Sequence, residues 1–353
     1  MKRRSFLTKF GAGSLALPFL TPLAGWANPG DRSAKNRIIP KALKPGDTIG
    51  IVSPSGAIFE SEPYEIAVES MEAMGLKVKL GEFVKARHGH LAGTDQQRAE
   101  EFNKMFLDPE VAGIICLRGG SGAARLLDKL DYESIGKNPK VFAGYSDITA
   151  LHLALYQKTG LVTYHGPIAV SEWNEFTVRH FKEVLFEGKN LVIENPQEKG
   201  GFLTQTKDRI RTITPGSAQG TLLGGNLAVL TNIMGTPYFP TDWNNKILYL
   251  EDVGEAIYAV DRMMSQLHLG GVLQQISGFV FGKCTRCTPG SGYGSLTLEE
   301  VLDHYIKPLG IPAYSGAMIG HISKNVTVPN GILAQINADQ GTISLKESPV
   351  TTS

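Results

Sequence analysis

The sequence predicts an α/β protein of two units, the first of them built on a parallel sheet. Three observations carry that prediction. The chain has 353 residues, long for one domain and ordinary for two. Short apolar runs alternate with segments of helical spacing through both halves. Between the halves, around Glu187 to Thr214, the texture shifts to Gly, Lys, Asn, Gln and Pro, as in a linker or a peripheral hairpin. A net charge of +1, with no basic stripe beyond the first few residues, leaves no footprint for nucleic acid.

The first residues stand apart from the fold. Lys2-Arg3-Arg4 precedes an apolar stretch that ends in Ala24-Gly25-Trp26-Ala27. That order predicts a signal peptide over residues 1–27, and the paired arginines predict the twin-arginine export route. Gly11, Gly13, Pro18 and Pro22 argue against a membrane anchor. The expected location is the periplasm. A polar linker runs over residues 28–40.

GDTIGIVSPSG then reads as a strand ending in a turn. Glu62 to Met74 has helical spacing, and LKVKLGEF is a second strand. In HLAGTDQQRAEEFNKMFLDP, Thr94 with Gln97 three residues on forms a capping-box pattern that opens a helix. GIICL is an apolar strand running into Arg118-Gly119-Gly120-Ser121-Gly122, followed by a helix and by VFAGYSD. The second half repeats the alternation on a smaller scale: GTLLGGN, the strand KILYLED, a helix from near Ile257, the strand GFVFGKC, the helix LEEVLDHYI and then GAMIGHISKN. The units are expected at 41–200 and 201–347.

Of the three cysteines, Cys116 reads as a buried strand residue. Cys284 and Cys287 form one CxxC, without the further ligands a structural zinc needs. A local structural role is expected, and no metal or cofactor.

Ser146, in Gly144-Tyr145-Ser146-Asp147, sits where strand turns sharply into helix, a geometry that can present a nucleophile. It could equally be a helix N-cap. The segment departs from G-x-S-x-G, because Ile148 replaces the second glycine. A serine nucleophile needs a base and an orienting partner. His88 and His90 read as surface loop, and His152 and His268 as packing residues within helices. His165 ends a strand near Ser146, and His321, the better candidate, follows the apolar run AMI and precedes a polar turn. Glu251 and Asp252 end KILYLED.

In order along the chain stand HLAGTDQQRAEEFNKMF, CLRGGSGAARLL, FAGYSDITAL, TYHGP, LLGGNLAVLTNIMGTP, YLEDVGEAIYAVDRMMSQL and GHISKN. With these motifs the chain resembles the LD-carboxypeptidases, the murein tetrapeptide carboxypeptidase family, from about Lys41 to Glu347. The resemblance implies a flavodoxin-like N-terminal domain of the class I amidotransferase kind and a smaller swivelling β/α C-terminal domain. It implies a catalytic triad of Ser146, Glu251 and His321. It also implies an oxyanion hole from the backbone N–H groups of Asp147 and an RGG glycine, with Gly120 preferred to Gly119. The expected activity is removal of the terminal D-alanine from murein tetrapeptide, by a homodimer. Arg118 is the candidate for the substrate carboxylate, against an ion pair within its own domain. Asn226 is a candidate substrate contact, against a turn residue holding its own loop. Arg262 reads as a surface or interdomain ion pair. The family usually has an aromatic where Ser121 stands here, which bears on substrate preference.

Four rivals stand against this reading, the first a peptidase of the same superfamily and the others of different kinds. A related peptidase acting on a peptide-nucleotide antibiotic would share the triad. An exported solute-binding protein would bind without turnover. A dinucleotide enzyme is disfavoured, because Arg125 occupies the last glycine of GxGxxG. An α/β-hydrolase shares the order Ser, Glu, His but lacks the expected elbow glycine.

Overall fold

The computed structural model describes residues 37–289 and 294–352. The signal segment expected over residues 1–27 lies outside them. The first half alternates strand and helix: β1 (Thr48–Val52), α1 (Glu62–Ala73), β2 (Lys77–Leu80), α2 (Asp95–Leu107), β3 (Val111–Cys116), α3 (Tyr132–Lys137), β4 (Val141–Gly144), α4 (Thr149–Thr159), β5 (Thr163–His165) and α5 (Glu175–Leu185). The second half adds β6 (Val192–Ile193), β7 (Arg211–Thr214), β8 (Ser217–Asn226), α6 (Leu227–Asn232), β9 (Lys246–Val253), α7 (Ile257–Leu269), β10 (Gly278–Thr285), α8 (Leu298–Ile306), β11 (Ala313–Ser315), β12 (Val328–Asn330), β13 (Leu333–Asn337) and β14 (Thr342–Leu345).

The helices start where their sequences say they should. Thr94 accepts from the Gln97 N–H while the Gln97 side chain accepts from the Thr94 N–H, so the capping box that opens α2 is complete. Thr297 and Glu300 do the same for α8. α4 differs from the amphipathic helices: its residues from Thr149 to Leu155 are all buried, as a helix enclosed on every side requires.

The first sheet has the order β12-β5-β4-β3-β1-β2. β2, β1, β3, β4 and β5 are mutually parallel, and the order 2-1-3-4-5 is the flavodoxin-like one. In such a sheet, sites form beyond the carboxyl ends of the strands, where the strand order reverses. Here that point lies between β1 and β3. Their following loops, Ser53–Gly56 and Leu117–Gly122, meet the turn after β4.

The second sheet has the order β6-β14-β13-β8-β9-β10-β11-β7, with β8, β9, β10 and β11 parallel. Its eight strands outnumber the six of the first sheet, so the expected smaller size applies to its helices only. The polar stretch around 187–214 is not a hairpin. Its two strands pair with β14 and β11, at opposite edges of this sheet. The halves also exchange structure: β12 runs antiparallel to β5 at the edge of the first sheet.

Candidate active site

Ser146 has φ = +67°, a left-handed conformation that costs a non-glycine residue about 1–3 kcal/mol. Only Tyr145 separates it from the end of β4, and it begins a single 3₁₀ turn before α4. The helix-cap alternative fails on geometry. The residue capping that turn is Tyr145, the one capping α4 is Ile148, and neither end has a side-chain cap. Gly144 is needed beside it, because a Cβ there would crowd Ile148 and Cys116 at 3.1–3.2 Å. Ser146 is half-buried, and among the described residues its hydroxyl makes no hydrogen bond.

The loop after β3 lies against this serine. A Cβ on Gly119 would fall 2.7 Å from the Ser146 Cβ and 3.0 Å from its Oγ. Gly120 has φ = +135° and packs instead on Gly56 and Ser55. Gly119 is therefore the glycine whose Cα abuts the serine, while the N–H of Gly120 continues from the same contact. Asp147 does more than offer a backbone N–H. Its buried Oδ2 accepts from the Ser55 hydroxyl at 2.5 Å and from the Ala123 N–H at 2.8 Å. Arg118 forms no ion pair. Its Nε donates to the Gly119 carbonyl at 3.1 Å and a terminal nitrogen donates to the Ala57 carbonyl at 3.0 Å.

The second sheet brings the other two residues. Glu251, near the end of β9, is fully buried. Its Oε2 accepts from Nδ1 of His321 at 2.8 Å. The His321 side chain keeps 18% exposure, so the carboxylate is sealed while the imidazole keeps an exposed edge. Gly320 makes this contact possible. It has φ = +125°, and a Cβ there would sit 2.7 Å from Glu251 Oε2. The Tyr145 ring meets the His321 ring edge-on at 4.7 Å between centroids, which sets His321 beside the residue preceding the serine. Burial, with a contribution from the Glu251 carboxylate, pushes the Tyr145 hydroxyl up to about 12.

The rival histidine, His165, is wholly buried, with neither ring nitrogen hydrogen-bonded. Its Nε2 lies 3.9 Å from Glu251 Oε1, itself without a hydrogen bond. Burial drives its pKa well down. His152 packs inside α4 as expected and bonds the Gly144 carbonyl at 2.8 Å. His268 is exposed on α7, contrary to the packing role expected of it, because its side of the helix faces away from the sheet.

Asn226 acts as the turn residue. It caps α6 by accepting from the Val229 N–H at 3.1 Å, donates to Asp252 at 2.9 Å and is buried. Its own N–H donates to the Thr149 hydroxyl at 2.9 Å, which ties β8 to the start of α4. The expected substrate contact at Asn226 is thus occupied by the fold. The Arg262 guanidinium lies over the Tyr258 ring at 5.4 Å and forms no ion pair. Cys284 and Cys287 form a disulfide, and Cys116 is buried and free. Among the described residues, no group of three or more His, Cys, Asp or Glu is gathered that could hold a metal ion.

Sequence reasoning missed Gly320 and the carboxylate of Asp147. A glycine directly before a candidate histidine, and an acidic residue directly after a candidate serine, were the available signals.

Known proteins carry the same organisation. Residues 49–166 match the LD-carboxypeptidase N-terminal domain, and residues 219–336 match the LD-carboxypeptidase C-terminal domain. A probable murein peptide carboxypeptidase of Bacillus subtilis is 39% identical, over 86% of this chain and 92% of its own. The microcin C7 self-immunity protein MccF of Escherichia coli is 30% identical, over 88% and 96%. A solved structure of MccF in complex with glutamyl sulfamoyl guanosine superposes with a TM-score of 0.80 at 28% identity, over 89% of this chain and 99% of that one. Muramoyltetrapeptide carboxypeptidase from Oxalobacter formigenes gives 0.72 at 30% identity, over 84% and 97%. The two domain matches and these relatives agree with the two-sheet architecture: the chain belongs to the LD-carboxypeptidase family.

Proposed function

We propose that this serine carboxypeptidase removes the terminal D-alanine of murein tetrapeptide through Ser146, His321 and Glu251. The observation that carries the reading is the 2.8 Å bond between His321 Nδ1 and Glu251, beside a serine in a left-handed turn. With Nδ1–H donated to the carboxylate, Nε2 keeps its lone pair. That nitrogen can take the Ser146 proton as Oγ attacks the scissile carbonyl, and can return it to the departing D-alanine amine. Glu251 fixes the tautomer and stabilises the imidazolium. The N–H groups of Gly120 or Gly119 and of Asp147 receive the oxyanion. Arg118, held from two sides by carbonyls, retains guanidinium N–H groups for the free carboxylate that a carboxypeptidase must recognise.

The test is mass spectrometry of L-Ala-D-Glu-diaminopimelate-D-Ala incubated with the mature chain and with Ser146→Ala. Loss of one alanine with the wild type alone is expected. Binding without loss would favour a solute-binding protein. A second reading, cleavage of a peptide-nucleotide antibiotic, draws on the similarity to MccF, and an aminoacyl sulfamoyl nucleoside in the same assay separates the two. The triad is common to both. We further read the N-terminal segment as an export signal that delivers the enzyme to the periplasm as a homodimer. Fractionation and light scattering test those two points.

A further inference from the structure

Two buried charged side chains grip the same pair of loops. Arg98, on α2, has a side chain with no exposed surface. One terminal nitrogen donates both to the Pro54 carbonyl at 2.5 Å and to the Gly122 carbonyl at 3.0 Å. The other donates to Asp95 at 2.5 Å. Asp147 reaches the neighbouring atoms from the opposite side: the Ser55 hydroxyl and the Ala123 N–H. Pro54 and Ser55 are consecutive in the loop after β1. Gly122 and Ala123 are consecutive in the loop after β3. The single peptide unit Gly122–Ala123 is therefore held at its C=O by Arg98 and at its N–H by Asp147. Gly122 has φ = +112°, and a Cβ there would lie 2.4 Å from Leu91 and 3.4 Å from Arg98. Only a glycine therefore lets this peptide lie so close to Leu91.

That peptide ends the segment whose beginning, Gly119, touches Ser146. We propose that Arg98 is a positioning residue for catalysis: with Asp147 it clamps the Gly122–Ala123 peptide and so fixes the oxyanion-binding N–H groups of the 119–120 loop relative to Ser146. The inference rests on the reading of Ser146 as nucleophile. Its physical basis is that oxyanion donors work only when held about 2.7–3.1 Å from the position the developing oxyanion will occupy. A fork with two donating ends can hold two carbonyls and a carboxylate at once, and a lysine ammonium cannot reproduce that geometry.

The experiment compares wild type, Arg98→Lys and Ser55→Ala in two assays on the full mature chain. One is turnover of the tetrapeptide. The other is the rate at which a fluorophosphonate probe labels Ser146, where Oγ displaces fluoride from phosphorus and leaves a phosphonyl oxygen for the same donors. Arg98→Lys is expected to lower kcat and the labelling rate together by roughly 10- to 100-fold, with KM changed by less than about twofold. Ser55→Ala leaves Asp147 its bond to Ala123 and should lower both by less. A purely structural role would lower the melting temperature yet leave both rates per folded molecule unchanged, and that result overturns the proposal. A loss confined to KM also overturns it. If Arg98→Lys does not fold, Ser55→Ala decides, and unchanged rates there overturn the proposal. A wild type that is neither labelled nor active would instead remove the nucleophile reading, and this inference with it.

Discussion

The two sides of the cleft are built to opposite standards. On the side proposed for the nucleophile, the loops after β1, β3 and β4 are cross-tied by Arg98, Asp147, Ser55 and Arg118, each through a hydrogen bond to a named backbone or side-chain atom. On the acid–base side, the Glu251 carboxylate has one hydrogen bond, to His321, and its other oxygen faces the unbonded Nε2 of His165 across 3.9 Å. The side that must keep its distances is over-determined. On the side proposed to change protonation state, the His321 ring has one hydrogen bond, to Glu251, and an edge-on contact with Tyr145, while Asn325 accepts from the Gly320 N–H at 3.2 Å. Rigidity is placed where charge is to be stabilised, and sparse bonding where a proton is to move.

Glu251→Gln tests the contrast hardest. It can reverse the imidazole tautomer while leaving the nucleophile side intact, so kcat should fall about 10³–10⁴-fold with KM nearly unchanged. Steady-state kinetics showing less than about a tenfold loss would mean that the single bond is not what orients His321. Gly320→Ala should come next. Its methyl group would press on Glu251 Oε2 in a backbone conformation alanine avoids, and an activity loss of roughly 10- to 100-fold is expected. Full activity would show that the His321 loop yields easily.

The buried histidines sharpen the comparison through pH. Burial lowers His152 from an ordinary 6.5 to about 4 and moves His165 in the same direction. The unfolded chain binds those protons first, so stability is complete above about pH 6.5 and declines as pH falls toward 4. His152 alone accounts for roughly 3 kcal/mol of that decline. Asp252 opposes it: burial raises its pKa to about 6, so over about pH 4 to 6 its contribution to stability falls as pH rises. Urea denaturation at several pH values should therefore show a net acid loss beginning near pH 6.5, flattened in His152→Gln. A flat profile in the wild type would mean that these rings are solvated. The smallest effect is expected at the disulfide. It closes a very short loop, so Cys284→Ser should cost at most about 2 kcal/mol in thermal unfolding and change kcat by less than about twofold.

Much of this was readable from the residues alone. Apolar runs and caps located the central parallel strands of both halves and several of their helices, because parallel strands covered on both faces must be apolar throughout, while the short antiparallel strands β6, β7, β12, β13 and β14 carried no such signal. The turn at Ser146 was visible as strand, glycine and helix in succession. Composition did not reveal the contacts between elements distant in sequence. GGN leaves Asn226 open between a substrate contact and a turn residue, and only the fold shows Asp252 and Val229 bonded to its side chain. His165 and His321 look alike as strand-end histidines, and only packing buries the first and exposes the edge of the second. The stretch at 187–214 shows its polarity in sequence but not that its strands pair at opposite sheet edges, since pairing partners such as β14 lie far along the chain.

The antiparallel strand β12 bears on what the first half lacks by itself. The first sheet is finished by Val328–Asn330, which follow strands β6 to β11 of the second sheet in the chain. Without them the rim of β5 offers unpaired amides to any other extended chain. The first half taken by itself therefore keeps an open sheet edge, and the second half supplies the strand that covers it.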